Sequence, residues 1–91
     1  MPEIFQYGPY VVFFCSGGAA EPVHVHVAEG QPAEHATKIW LTRAGGCLVA
    51  NNGSDVPAKD LRIVLAIVTA NHALICERWH EHFGGSPTFY C

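Results

Sequence analysis

Charge is scarce in this sequence, and positive charge is scarcest. Only 14% of the 91 residues are charged, and five Lys and Arg stand against eight Asp and Glu, a formal net charge of −3. A dedicated nucleic-acid binder usually carries a basic stripe, so this balance disfavours that class. Lys38, Arg43, Lys59, Arg62 and Arg78 are scattered, although four of the five fall between positions 38 and 62 and leave room for a local patch. No hydrophobic run approaches the length that spans a bilayer, so no membrane role is expected. Cys15, Cys47, Cys76 and Cys91 include no Cys-x-x-Cys pair. The start, Met1-Pro2-Glu3, is acidic, and the short apolar run Tyr10–Cys15 leads into glycines rather than a cleavage site. That is not the make-up of a secretory signal, so reduced thiols in a cytoplasm are the expectation. There is no Gly-x-Ser-x-Gly elbow, no Gly-rich phosphate loop between a strand and a helix, and no obvious carboxylate pair. No catalytic residue and no cofactor are expected.

What is present is apolar. Hydrophobic residues make up 49% of the chain, enough for one globular domain over residues 1–91. A chain this short buries only about 60–65% of its unfolded surface, so its stability is modest unless it oligomerises. Ile4–Tyr7, Tyr10–Cys15, Val23–Ala28, His35–Thr42 and Cys47–Ala50 read as strands, with turns at Gly8-Pro9, Glu29–Pro32 and Gly45-Gly46. Ser16–Ala20 is a small-residue loop, and Asn51–Asp55 a loop with strong turn chemistry. Past Pro57 the period changes from two to 3.6. Leu61, Val64, Leu65, Val68, Ile75, Trp79 and Phe83 form one helical stripe, and no Gly or Pro interrupts the chain before Gly84-Gly85. Pro57 suits a first turn and Asp60 the positive helix end. The fold expected is α+β: four to five mostly antiparallel strands over residues 2–50, then one long helix from about Pro57 to His82. About 26 helical residues make a rod of ~39 Å. Ile63, Ile67, Ala70 and Leu74 form a second apolar line, which points to a homodimer through the helix or a strand edge.

The densest chemistry is Glu21-Pro22-Val23-His24-Val25-His26-Val27. A strand alternates its side chains, so His24 and His26 share one face and the three valines the other. Two imidazoles on a rigid strand suit a peptide edge, an anion or, with a third ligand, a metal. Their mutual repulsion when protonated should hold one below the usual value of about 6.5. Lys38 and Trp40 share a face on the next strand and can stack a base or a peptide. His80 and His82 point to different helix faces, whereas His72 and Cys76 share one. The alternative to any of these roles is that the histidines are surface or edge residues.

The whole chain resembles the bacterial family known as domain of unknown function 4160. The resemblance rests on Met1–Phe5, the box Glu21–Val27, Ala36–Leu41, Val49–Asn52, Pro57–Leu61, Glu77–Gly84 and the closing Phe89–Cys91. It implies a small stand-alone cytosolic protein, often encoded beside another small protein in arrangements similar to toxin–antitoxin pairs. Some members carry the label of transcriptional regulator, and no catalytic residues are established. Pro22, His24 and His26 match the family's box. Family members often place an acidic residue and another His just ahead of it, where this chain has Gly17-Gly18-Ala19-Ala20, which weakens a metal or enzymatic role here.

The expected function is therefore a non-catalytic interaction module of a toxin–antitoxin-like or regulatory pair, binding a small protein encoded nearby. His24, His26, Lys38 and Trp40 are the candidate binding residues. The alternatives are a metal-assisted, nuclease-like enzyme built on His24 and His26, and a DNA-binding regulator.

Overall fold

The computed structural model describes residues 3–15 and 20–91. Met1-Pro2 and, apart from Ala20, the small-residue loop at positions 16–20 lie outside the described residues. Five strands come first: β1 (Glu3–Tyr7), β2 (Tyr10–Phe13), β3 (His24–Glu29), β4 (Thr37–Leu41) and β5 (Cys47–Asn51). They form one sheet in the order β1-β2-β3-β4-β5, every neighbour antiparallel. Sequential order in space is what short turns such as Gly8-Pro9 and Gly45-Gly46 permit.

Alternation decides which face meets the helices. Tyr10, Val12, Val23, Val25, Val27, Ile39 and Leu41 point to one side and join the main core. Val11, Phe13, Ala28 and Ala36 form a smaller core on the other side, with Cys15 at its margin. The helical stripe docks on the main core: Val64, Val68, Ile75 and Trp79 are buried, and Leu61, Leu65, Cys76 and Phe83 partly so. Tyr10 donates its hydroxyl to Asp60 Oδ2 at 2.6 Å, tying the start of β2 to the first helical turn. That carboxylate pushes the phenol up to about 12.

The single long helix of the sequence reading is two helices, α1 (Ala58–Ala70) and α2 (His72–Phe83). Asn71 breaks the run, with φ −108° and ψ 19°. Its side-chain Nδ2 donates to Ile67 O at 2.9 Å, the competition with backbone bonding that makes Asn a poor interior helix residue. His72, next in line, bonds Thr42 O through Nε2 at 2.7 Å and pins the start of α2 to the β4–β5 turn. A straight rod of ~39 Å would overrun a molecule whose longest dimension is 32 Å. The elbow keeps both halves of the stripe on the sheet. Gly84 ends α2 in the left-handed conformation, φ 80°, which glycine adopts without steric cost. No helix among the described residues is long and apolar enough to cross a membrane.

Candidate functional site

The antiparallel register brings the four candidate residues into one patch. His24 lies opposite Trp40, and His26 opposite Lys38. The rows extend sideways, Phe13 standing opposite His26, Leu48 opposite Trp40 and Asn51 opposite Lys38. The His24 and His26 rings are 5.0 Å apart, edge to face. His24 also meets Trp40 at 5.5 Å and, across the end of the sheet, Trp79 at 5.3 Å. His26 stacks on Phe13 at 5.7 Å.

His24 is a buried residue, 1% exposed, and not a member of a wet face as a surface reading would have it. Its Nδ1 donates to Pro22 O at 2.9 Å. A carbonyl only accepts, so this contact fixes the proton on Nδ1 and leaves Nε2 as an acceptor. The Pro22-x-His24 spacing of the box thus has a local cause, a side chain folded back on the carbonyl two residues earlier. His26 is half-buried, and its Nδ1 has no partner among the described residues although the atom itself is buried. Burial is the first cause that lowers both imidazoles. His26 is held at about 4, with the positive potentials of His24 and Lys38 adding to desolvation. His24 is lowered by burial and by Lys38, against the opposing hydrogen bond to Pro22. The repulsion expected from the sequence is present, but desolvation outranks it. Both rings are neutral at pH 7.

Lys38 is already engaged. Its Nζ lies 2.5 Å from Glu21 Oε1 and 4.3 Å from the centre of the Trp40 ring. The other face of the story is the C-terminal segment after α2, which sequence reasoning left without a role. Tyr90 stacks flat on Trp40. Thr88 O accepts from Val23 N at 2.8 Å, and Cys91 O from Arg43 N at 2.9 Å. Phe89 turns to the opposite side, joins the main core, stacks on His72 and lies under Arg43. Residues 88–91 therefore clamp the end of the β3–β4 pair, one aromatic on each side. Two adjacent aromatics after a glycine stop were the available sign of a docking segment.

The remaining histidines stand apart. His72 approaches Cys76 Sγ at 3.8 Å, as their shared face implies. His80 Nδ1 contacts Gly85 O, and His82 stacks on Phe14. Among the described residues no group of three or more His, Cys, Asp and Glu is placed to hold a metal ion. The four cysteines are free. An open cavity of about 210 Å³ lies elsewhere, between the start of β1 and the end of α2, lined by Glu3, Ile4, Phe14, Arg78, Glu81 and His82.

The chain belongs to the family described as Domain of unknown function (DUF4160), whose model matches residues 9–80. No curated protein matches the chain, and no solved structure does. The matched span includes His24, His26, Lys38 and Trp40, while the clamp at residues 88–91 lies beyond it.

Proposed function

We propose that this chain is a non-catalytic protein-interaction module, one member of a bacterial, cytoplasmic pair of regulatory or toxin–antitoxin-like type. Its partner is a small protein encoded nearby, and the surface that recognises it is the patch of His26, Lys38 and Trp40, with the buried His24 packed beneath them. One observation carries this reading: the patch already holds a chain segment. Thr88 and Cys91 take main-chain bonds at its border while Tyr90 covers Trp40. A surface that accepts an aromatic residue and its backbone from its own chain has the groups to accept them from another. Neutral imidazoles add polar contacts without the cost of stripping water from a charge. Trp40 supplies the flat apolar anchor typical of interface hot spots. Four free thiols agree with a reducing compartment.

The test is co-purification with the product of the neighbouring small gene, followed by titration calorimetry. Trp40→Ala and Lys38→Ala, both at half-buried positions, should stay folded and weaken binding at least about tenfold. Full affinity in both variants would remove the recognition role. Wild-type protein that carries stoichiometric zinc, lost in a folded His24→Ala, His26→Ala variant, would replace this reading with the metal-assisted one.

A further inference from the structure

The two edges of the sheet are not alike. β1 is blunted by Glu3 and by a register break between Glu3 and Phe5. Charge and bulges are how natural sheets keep other strands away. β5 has little such protection. From Ala44 to Ser54 the chain has no charged residue and no proline. Leu48 and Val49 are 46% and 38% exposed. Its register break, at Ala50 against Lys38 and Ile39, leaves Cys47–Val49 regular.

The hydrogen-bond pattern shows what that edge offers. Thr42 N donates across the hairpin to Gly46 O, whereas Leu41 N turns away to Val23 O, just ahead of β3. Antiparallel pairs alternate between bonded and non-bonded. Cys47, opposite Leu41, and Val49, opposite Ile39, therefore hold their N–H and C=O groups away from β4. Among the described residues no strand pairs with that side.

We infer that β5 pairs with β5 of a second copy, antiparallel about a two-fold axis at Leu48, to make a continuous ten-stranded sheet. In this register Cys47 of each chain exchanges hydrogen bonds with Val49 of the other, and every outward group in the regular stretch is met. The two Leu48 side chains face each other in a non-bonded pair, the closest cross-strand position. Charge favours the same occupant. Arg43 stands at one end of β5 and Asp55 at the other, both exposed. An antiparallel copy brings the Arg43 end of one chain to the Asp55 end of its partner, with nothing charged in between to repel. A stable pair needs about 800 Å² from each partner, roughly a sixth of a surface of 4987 Å². The flanks can supply it. Leu48 continues into Trp40 and Tyr90 on one face. α1 lies against β5 on the other, where Cys47 Sγ reaches Leu65 O and Thr69 Oγ1. This interface goes beyond the recognition patch but meets it at Trp40, the residue opposite Leu48; self-association of the chain alone is read without the partner, so either can fail without the other.

The experiment is sedimentation equilibrium of the full chain at tens of micromolar concentration. The wild type should run at twice 9.9 kDa. Leu48→Lys puts a charge at the exposed centre, and Val49→Pro removes an outward N–H without touching a bond to β4. Both should keep the wild-type far-ultraviolet dichroism and weaken association at least about tenfold. Leu48→Cys should give a disulfide-linked dimer under mild oxidation that the wild type does not, because non-bonded pairs hold Cα atoms about 4.5 Å apart, within disulfide reach. A monomeric wild type would overturn the inference. So would a dimer that survives Leu48→Lys and does not cross-link through Leu48→Cys. A dimer broken instead by Ile63→Glu with Leu74→Glu would move the interface to the helices.

Discussion

Tyr90 lies flat on Trp40, with ring centroids 5.0 Å apart and planes within 4° of parallel. The contact is made by a segment with no regular secondary structure, and Tyr90 is still 61% exposed. Stacked aromatic pairs contribute about 0.5–1.5 kcal/mol beyond their buried area. Tyr90→Ala should therefore cost about 1 kcal/mol of stability and leave the fold intact. Trp79 is buried, so a red shift in tryptophan emission would report Trp40 meeting water. If Tyr90 occupies the partner's place, the same variant should bind that partner about two- to tenfold more tightly, and weaker binding would count Tyr90 as part of the interface instead.

Trp79 should behave as a core residue. It is 3% exposed and touches Phe14 at 5.4 Å, Phe83 at 4.3 Å and His24 at 5.3 Å. Truncating such a ring typically costs about 3–5 kcal/mol. Trp79→Ala should show that loss in urea denaturation, and wild-type stability would mean that the ring is dispensable for holding α2 on the sheet.

Acid should weaken the fold through the histidine pair. In the unfolded chain both rings protonate near 6.5, while in the folded protein both are lowered, His26 to about 4. Between those values the unfolded state binds more protons. The contribution is complete above pH 6.5 and is lost as pH falls toward 4. Solvent reaches His26, so its share is of order 1–2 kcal/mol after screening. His26→Phe keeps a ring against Phe13 and removes the titration. Its melting temperature should vary less with pH across this window, and an unchanged slope would assign the effect to other groups.

The sheet was legible because each strand alternates cleanly. Val23, Val25 and Val27 announce the buried face, and Thr37, Ile39 and Leu41 do the same on the next strand. That the four candidate residues meet follows from the antiparallel pairing of β3 with β4, the next strand in the chain. The break at Asn71 was not legible. One Asn in an apolar run leaves the period intact, and the contact that holds the chain at the break, His72 to Thr42 O, joins residues 30 apart in sequence. The clamp at residues 88–91 was hidden for a similar reason. Its bonds to Val23 and Arg43 depend on where the chain returns after α2, which no local pattern states. The depth of His24 was misjudged because alternation reports a face and not what covers it.

Gly53 is a close-approach position. A Cβ there would lie 2.4 Å from His35 O and 3.1 Å from Ala36 O, both backbone atoms with little room to yield. The loop around it is tightly tied. Asn52 Oδ1 accepts from Thr37 Oγ1 at 2.6 Å and from Val56 N at 3.0 Å, and Ser54 Oγ donates to Val27 O at 3.0 Å. Gly53→Ala should destabilise by about 1–3 kcal/mol, the usual range for overpacking. A chemical melt that matches the wild type would show that the loop can move aside.

Lys38 links the acidic and imidazole sides of the patch, and removing its charge should move three titrations together. Its hydrogen bond is the first cause that holds the Glu21 carboxyl below the usual carboxylate range. Its positive charge also adds to the burial that lowers His24 and His26. Lys38→Met keeps a flexible apolar stem beside Trp40 and removes only the ammonium. The Glu21 side chain is 44% exposed, so the lost ion pair should change stability by no more than about 1 kcal/mol. Glu21 should rise toward its ordinary value. Both imidazoles should rise as well, because the carboxylate that favours their protonation is no longer offset. The acid window then narrows from below: stability still begins to fall near pH 6.5, but the loss is complete at a higher pH than in the wild type. Carbon-detected NMR titration of the three side chains measures this directly. Glu21 moving alone, with both histidines unchanged, would show that burial by itself sets the imidazoles and that Lys38 serves only its carboxylate.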